Sequence, residues 1–236
     1  MSRGLGDVYK RQEHKPDTLI KLQVIDDNSS SENLKKLKDL INTHGVDCEI
    51  INHDKSEHKE KIAAENNQET FGNLSSLLKC FEVAKKDQSD LIYFVEDDYL
   101  HYEHSLVDML NTYERVSSQH KDEIIVCPSD YPFNYMNNEK TNILIGSQQH
   151  WRTITKMLCT FMISKKMFQK HIDNFEKTCE KRHEPFEKYL NKILESEIGI
   201  SPIKSLAVHM TNVNSSYGLS PFIDIKKLWE ENKIDQ

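Results

Sequence analysis

The sequence predicts an α/β fold, with a mostly parallel open sheet that carries helices on both faces and a smaller mixed α+β region after it. Apolar, β-branched runs alternate with amphipathic segments through the first half of the chain, which is the pattern of β-α-β units. Two of those runs end in acidic clusters, Asp26-Asp27 and Glu96-Asp97-Asp98. Because open α/β sheets bind ligands at the carboxyl ends of their strands, both clusters are candidate site residues.

The first half contains four predicted strands that alternate with three predicted helices. Ser29 and Ser31 can cap the first helix, and Gly45 ends it. The second helix begins at Gly72 and carries leucines and Phe81 on one face. The predicted strands are residues 19–25, 46–51, 91–95 and 123–127, and the predicted helices are residues 32–43, 72–86 and 105–116. This alternation places helices on both faces of a parallel sheet.

The second half changes character, because its predicted strands and helices no longer alternate. The predicted strands are residues 142–145, 153–163 and 205–210, and the predicted helices are residues 165–177 and 185–197. Between the two halves we expect residues 132–151 to form a mobile loop, of the kind that commonly carries substrate selection.

The length and composition of the chain argue against some classes of function. The 236-residue length and 37% hydrophobic content suit one substantial domain. The net charge of −7 argues against general affinity for nucleic acid, which requires a basic face. No run approaches the roughly 20 apolar residues of a membrane span. The five cysteines are far apart and lack C-x-x-C spacing, which is typical of reduced thiols in a cytoplasmic protein. Peripheral attachment to a membrane stays open.

The first acidic cluster has a structural and a functional interpretation. Asp26 and Asp27 are followed by Asn28 and Ser29, so capping of the next helix explains one or two of these side chains. Capping does not explain two adjacent carboxylates, which repel unless a cation or a donor-rich ligand relieves them. The cluster is therefore either a helix start or a ligand site.

The second acidic cluster predicts a metal site. Glu96 and Asp98 are two residues apart at a strand end, so both carboxylates can point to the same side. Mg²⁺ or Mn²⁺ prefers such oxygen ligands, which it shares with phosphates. The alternative is a polar strand end with solvated acids.

Three further residues are candidates with equally ordinary structural explanations. His209 lies in an apolar strand, where a histidine is more often a satisfied core residue than a metal ligand. Glu184 precedes Pro185 at a helix start, where it also complements the helix dipole. Arg152 follows a tryptophan and is either a surface charge or a phosphate-binding guanidinium.

The order of these motifs resembles that of the family 2 glycosyltransferases, which have the GT-A fold. Residues 24–30, Val-Ile-Asp-Asp-Asn-Ser-Ser, resemble the V-D-D-x-S strand end of that family. Residues 71–84 and 90–98 resemble its helix and D-x-D strand, with Glu96 in place of the first aspartate. Residues 160–168 resemble the strand and helix after its acceptor-side loop. The similarity covers about residues 18 to 210.

The resemblance implies a transferase that moves a sugar from a nucleotide-diphosphate sugar to the hydroxyl of a glycan, a lipid-linked or another acceptor. It implies inversion at the sugar, dependence on Mn²⁺ or Mg²⁺, and no nucleic-acid partner. Residues 13–130 would bind the nucleotide sugar, residues 131–225 would bind the acceptor, and residues 226–236 would be a C-terminal tail.

The resemblance also implies a role for each candidate residue. Those that would bind the nucleotide or the rest of the donor are Asp26, Asp27, Asp97 and Arg152. The metal ligands would be Glu96, Asp98 and His209. Glu184 would be the general base that deprotonates the acceptor hydroxyl.

The sequence departs from the family pattern at two places, and two other readings stay open. No strand and nucleotide-cupping loop precede Thr18, and residues 1–12 resemble a translated sequencing adapter, so we expect a non-native leader and an N-terminally truncated domain. Pro185 leaves the acidic pair at Glu184 incomplete. The alternatives are a catalytically inactive GT-A-like binding module or fragment, and a Mg²⁺-binding receiver-type signalling domain that would use Asp54.

Overall fold

The computed structural model describes residues 18–62, 65, 67–136, 138–214 and 218–233. Over these residues the chain is a mixed α/β protein, which confirms the predicted class at that level. The mostly parallel, GT-A-like sheet is not confirmed, because the largest sheet is mixed. The predicted leader, residues 1–12, lies outside the described residues.

Strands and helices alternate through the first half and become irregular in the second. The strands are β1 (Leu22–Asp26), β2 (Cys48–Asn52), β3 (Leu91–Phe94), β4 (Tyr99–His101), β5 (Ile124–Val126), β6 (Ile143–Ile145), β7 (His150–Ile154), β8 (Phe161–Ser164), β9 (Ile198–Pro202) and β10 (Ala207–His209). The helices are α1 (Ser31–His44), α2 (Gln68–Lys86), α3 (Ser105–His120), α4 (Lys165–Lys170), α5 (Ile172–Thr178), α6 (Lys188–Ile193) and α7 (Ile225–Glu231). Short 3₁₀ turns cover Lys55–His58, Pro132–Tyr135 and Met210–Asn214.

The strands form three separate sheets. The largest has the order β3-β8-β5-β9-β7-β6, and β5 with β9 is the one parallel pair among its described strands. β1 and β2 form a parallel pair, and β4 and β10 form an antiparallel pair. The parallel arrangement predicted for the first-half strands is not confirmed for β3 and β5, because the predicted strand 153–163 is two strands, β7 and β8, and β8 pairs antiparallel with both β3 and β5.

The helix boundaries follow capping chemistry. The Ser30 side chain accepts a hydrogen bond from the Asn33 N–H at the start of α1, and Gly45 ends that helix with a left-handed φ of 60°. Helix α2 begins four residues before the predicted Gly72, because Asn67 caps it through the Thr70 N–H. The predicted helix 165–177 is the two short helices α4 and α5.

The core lies on both faces of the largest sheet. On β5, Ile125 packs with one cluster, which includes residues of α2, α5 and α6, whereas Ile124 and Val126 pack with another that includes residues of α3. The three residues are fully buried, which explains the unbroken apolar run at residues 124–126. The phenylalanine rings in contact on the α2 side are Phe81, Phe94, Phe161, Phe168 and Phe175.

The small β4–β10 sheet is covered by the C-terminal segment. Leu228 of α7 is fully buried and packs with Leu100 of β4 and Val208 of β10. Asn232 donates a hydrogen bond from its side chain to the His101 carbonyl at 3.2 Å. Within the segment predicted as a tail, residues 226–231 therefore belong to a helix that packs against the sheet.

Candidate metal centre and the two acidic strand ends

The β4–β10 ladder brings Asp98 and His209 together across more than one hundred residues of sequence. His209 lies opposite Tyr99 in the antiparallel register, and the Met210 N–H donates to the Asp98 carbonyl at 2.9 Å. The His209 Nε2 is then 2.8 Å from the Asp98 Oδ2. The predicted pairing of these two residues as part of one site therefore has a direct structural basis in strand register.

The His209 ring is held by its surroundings. The Tyr99 ring stacks on it with a centroid separation of 4.7 Å and an interplanar angle of 8°. Tyr99 is fully buried, and its hydroxyl lies 2.6 Å from that of Tyr131. The Thr211 hydroxyl lies 2.5 Å from the His209 Nε2 on the side of Asp98. The imidazole is thus fixed in plane and in rotation.

Glu96 completes the group of potential metal ligands. One ligand atom each from Glu96, Asp98 and His209 lies within 4.8 Å of the other two. Thr160, fully buried before β8, accepts the Glu96 N–H at 3.0 Å, and its hydroxyl is 3.4 Å from the Glu96 Oε2. Two carboxylates and one imidazole form a donor set that suits Mn²⁺, and the carboxylates alone suit Mg²⁺.

Burial sets the charges of this group. Burial raises the pKa of Glu96 to about 7, and the negative charges of Asp98 and Glu187 add to that rise. Although burial works against a charged Asp98, the hydrogen bond to His209 lowers the pKa of Asp98. Burial also disfavours a charged His209, yet its hydrogen bond to Asp98 and the nearby carboxylates raise the pKa of the imidazole.

Glu187, which the sequence did not single out, lies beside the same group. It is half-buried at the start of α6, and its charge acts on Glu96 and His209. Burial raises the pKa of Glu187, and the neighbouring Glu184 raises it further. Glu184, the predicted base, is exposed three residues earlier. Glu187 lies three residues after Glu184 in a stretch of mixed charge, so no signal in the sequence distinguished it.

The first acidic strand end is arranged differently. Asp26 is buried, and its Oδ1 accepts the Ser29 N–H at 3.2 Å, which caps the turn before α1, whereas the helix itself is capped by Ser30. The Asp27 Oδ2 forms an ion pair with Lys55 at 2.7 Å. This lysine lies over Gly72 of α2, where an added Cβ would be 3.1 Å from the Lys55 Nζ. The Asp27 charge is therefore neutralised within the chain.

A series of hydrogen-bonded, mostly buried polar side chains lies beneath the first acidic end. The Ser75 hydroxyl lies 2.8 Å from both the His53 Nε2 and the His58 Nδ1, and the His58 Nε2 is 3.2 Å from the Glu82 Oε2. Ser75, His53 and His58 are all buried. The His53 N–H also donates to the Asp26 carbonyl. These hydrogen bonds therefore fix the segment that carries Lys55 to both β1 and α2.

Helix α2 passes both acidic ends. Gly72 is in contact with the Asp27–Lys55 pair, and Cys80 is close enough to Glu96 for that charge to raise the pKa of its thiol, after burial raises it most. Eight residues of helix correspond to about 12 Å of length. The two acidic ends thus lie near points of α2 that are about 12 Å apart along the helix axis.

The remaining predicted residues occupy two different positions. Asp97 is exposed between Glu96 and Asp98. Arg152 is buried on β7, where it forms an ion pair with Asp130 and its guanidinium lies 4.2 Å from the centre of the Tyr135 ring. Asp130 lines a small cleft that His209 also lines. Arg152 is therefore linked to the group of Glu96, Asp98 and His209 through its ion-pair partner Asp130, which lines the same cleft as His209, and not by direct contact.

No protein-family model matches this chain, and no curated protein is significantly similar to it. Among the described helices, none combines the length and apolar character needed to cross a membrane.

Proposed function

We propose that this protein is a metal-dependent glycosyltransferase that moves a sugar from a nucleotide-diphosphate sugar to an acceptor hydroxyl. The observation that carries the proposal is the convergence of Glu96, Asp98 and His209 within 4.8 Å at the end of a buried strand. Among the described residues, no lysine or arginine forms an ion pair with Glu96 or Asp98. A divalent cation would balance this charge and could in turn hold a diphosphate.

In this proposal the donor is held by a bound cation at the second acidic end and by polar contacts at the first. A bound Mn²⁺ or Mg²⁺ would neutralise charge on the leaving diphosphate. Asp98 and His209 would hold the cation directly, with Glu96 as the third ligand. The nucleoside would face Asp26 and Asp27, which lie about 12 Å away along α2, and the Lys55 ammonium would supply a positive charge there. Asp97 and Arg152 remain proposed contacts of the donor.

The acceptor side requires a base. In the proposed transfer the base takes the proton of the acceptor hydroxyl, whose oxygen forms a bond to the anomeric carbon while the bond from that carbon to the diphosphate breaks. Glu187 is better placed for this role than Glu184, because it is half-buried beside His209 while Glu184 is exposed. Burial raises the pKa of Glu187, which makes its carboxylate a stronger base.

Calorimetric titration of the protein with UDP- and GDP-sugars, with and without Mn²⁺, tests the proposal. We expect nucleotide binding that requires Mn²⁺ and that is lost in Asp98→Ala. The control variant is Asp90→Asn. Asp90 is an exposed acid directly before the first residue of β3, at the opposite end of the strand from Glu96, and this variant should bind nucleotide normally. Binding without Mn²⁺ dependence, or full binding in Asp98→Ala, would contradict the proposal.

Turnover separates the enzyme from an inactive binding module and assigns the base. We expect Glu187→Gln to lower kcat by about 100-fold or more with donor affinity intact, and Glu184→Gln to change it by less than about 3-fold. The reverse result would return the role to Glu184. Metal-dependent binding without any release of nucleotide diphosphate would favour the binding module.

The receiver-type alternative finds less support in the fold. Such domains have a parallel doubly wound sheet with the strand order 2-1-3-4-5. In the part of the chain that the structure describes, β1 and β2 pair only with each other, and the largest sheet is mainly antiparallel. Asp54, which would be the phosphorylated residue, caps a 3₁₀ turn through the Ser56 N–H.

A further inference from the structure

The hydroxyl oxygen of Thr211 lies close to one atom of each of two candidate metal ligands, Asp98 and His209, so that the three atoms form a triangle. The Asp98 Oδ2 lies 2.8 Å from the His209 Nε2 and 3.2 Å from the Thr211 Oγ1. The Thr211 Oγ1 lies 2.5 Å from the His209 Nε2. The three atoms are therefore mutual neighbours, and the hydroxyl belongs to the same cluster as the two ligands that sequence reasoning identified.

The size of this triangle matches one face of an octahedral metal site. Mg²⁺ holds its ligands at about 2.1 Å in octahedral geometry, so adjacent ligand atoms are about 3.0 Å apart. The three separations in the protein, 2.5, 2.8 and 3.2 Å, lie around that value. A cation can therefore contact all three atoms with only small side-chain movements.

The backbone explains why Thr211 reaches this position. Strand β10 ends at His209, and the chain turns at once into the 3₁₀ helix Met210–Asn214. The Met210 N–H is fixed to the Asp98 carbonyl, so the turn begins directly beside the acidic strand end. Thr211 is exposed, which leaves its hydroxyl accessible to a cation and to a diphosphate.

The charges of the cluster give an independent reason to expect a cation there. Glu96, Asp98 and Glu187 act on one imidazole, and in the described residues no lysine or arginine is paired with any of the three. The His209 Nδ1 is buried without a hydrogen-bond partner among those residues, and the Nε2 is the ring nitrogen that faces Asp98 and Thr211.

We propose that the Thr211 hydroxyl is a further ligand of the metal held by Asp98 and His209. This inference rests on the proposed metal site and adds to it a neutral oxygen ligand. Threonine and serine hydroxyls ligate Mg²⁺ in phosphate-binding loops, so the chemistry is established for this side chain. The site then combines a hydroxyl, an imidazole and carboxylates, and leaves the remaining positions to the diphosphate and water.

Mn²⁺ binding to Thr211→Val and Thr211→Ser provides the test. Valine has the shape of threonine without its hydroxyl, whereas serine keeps the hydroxyl. We expect Thr211→Val to bind Mn²⁺ about 10-fold more weakly by calorimetry, and Thr211→Ser to bind within about 3-fold of the unaltered protein. Thr211→Ala is a second variant without the hydroxyl, and thermal unfolding checks that each variant is folded.

The hydration of bound Mn²⁺ distinguishes a ligand from a positioning residue. In Thr211→Val, water should take the position of the hydroxyl, so water-proton relaxation should report an additional inner-sphere water, and Thr211→Ser should not. A weaker affinity with unchanged hydration would mean that Thr211 acts through His209, and unchanged affinity would mean that it has no role; either overturns the proposal. If the unaltered protein fails to bind Mn²⁺, the proposed metal site itself is wrong.

Discussion

The two acidic strand ends look alike in the sequence but differ in how their charge is balanced. After β1, Asp26 caps a turn and Asp27 is paired with Lys55 at 2.7 Å. After β3, Glu96 and Asp98 share one imidazole and are joined by a third carboxylate, Glu187. At the first end a lysine of the chain pairs with one of the two acids, whereas at the second end three carboxylates surround one imidazole.

This difference assigns the two ends to different ligand chemistries. A neutralised carboxylate with an adjacent ammonium offers one hydrogen-bond acceptor and one donor, which suits an uncharged, polar group such as a nucleobase or a ribose. An unbalanced group of carboxylates suits a divalent cation. The comparison predicts that the second end is sensitive to acid and to loss of its charges, and that the first is sensitive to loss of its polar packing.

The largest expected effect is acid destabilisation of the β4–β10 scaffold of the second end. His101 pairs with Ala207 in that ladder and is buried, with its Nε2 2.7 Å from the Tyr93 hydroxyl, and burial lowers the pKa of His101 from 6.5 to about 4. Between these values the unfolded chain binds a proton that the folded chain does not. The unfolding free energy should therefore fall as the pH is lowered from 6.5 to 4, by up to about 3 kcal/mol.

Chemical denaturation at a series of pH values measures this effect, with His101→Gln as the comparison. Glutamine can still accept from the Tyr93 hydroxyl but does not titrate, so the difference between the two curves isolates the imidazole. A difference that stays constant between pH 6.5 and 4 would show that His101 does not contribute to the acid sensitivity.

The second prediction compares the two ends through their affinity for Mn²⁺. Asp98→Asn should lower that affinity more than about 100-fold, or about 2.7 kcal/mol, because it removes a charged ligand of the cation. Asp27→Asn should change it by less than about 3-fold, because Asp27 is already paired with Lys55. Calorimetric titration measures both variants. Equal losses would mean that one cation site spans the two ends.

Sequence reasoning placed the candidate site better than it placed the sheet. The ends of β1 and β3 could be predicted because apolar runs stop at Asp26 and Glu96, and the capped helices α1 and α2 have clear local signals. Strand direction in the second half depends on pairing over long separations, which residue periodicity does not encode. Strands β4 and β9 were missed because they are short or contain Gly199 and Pro202.

The parts of the site that were missed share one cause. Thr211, Glu187 and Lys55 have ordinary residue types in ordinary polar stretches, and only tertiary contacts bring them to the acidic ends. His209 was identified through a resemblance, and its place depends on the register of a three-residue strand. Arg152 is not the surface charge that was one of its two predicted roles, because it is buried and its guanidinium is paired with Asp130.

The third prediction concerns the hydrogen-bonded polar side chains beneath the first acidic end. Ser75→Ala removes the hydroxyl that serves both His53 and His58, and the unfolding free energy should fall by about 2 kcal/mol because two buried ring nitrogens lose their partner. Tyr131→Phe is the matched change behind the second end, and it should cost about 1 kcal/mol. Denaturant unfolding measures both. A smaller loss for Ser75→Ala than for Tyr131→Phe would reverse this ranking.

The smallest expected effect tests how tightly Lys55 is held against Asp27. Alanine at position 72 gains helix propensity of up to about 1 kcal/mol over glycine. Its Cβ would be 3.1 Å from the Lys55 Nζ, which is the flexible end of a partly exposed side chain and can move away at little cost. Gly72→Ala should therefore raise the unfolding free energy by about 0.5 kcal/mol while it loosens the Asp27–Lys55 pair.

Gly146→Ala is the matched control for that change, since its Cβ would meet the rigid, fully buried indole of Trp151. Overpacking there should lower the unfolding free energy by about 1–3 kcal/mol, so the two substitutions should have opposite signs in the same denaturation experiment. If Gly72→Ala instead destabilises the protein by more than about 1 kcal/mol, Lys55 is locked in place by its neighbours. The first acidic end would then be as rigid as the second, and the two ends would differ only in how their charges are balanced.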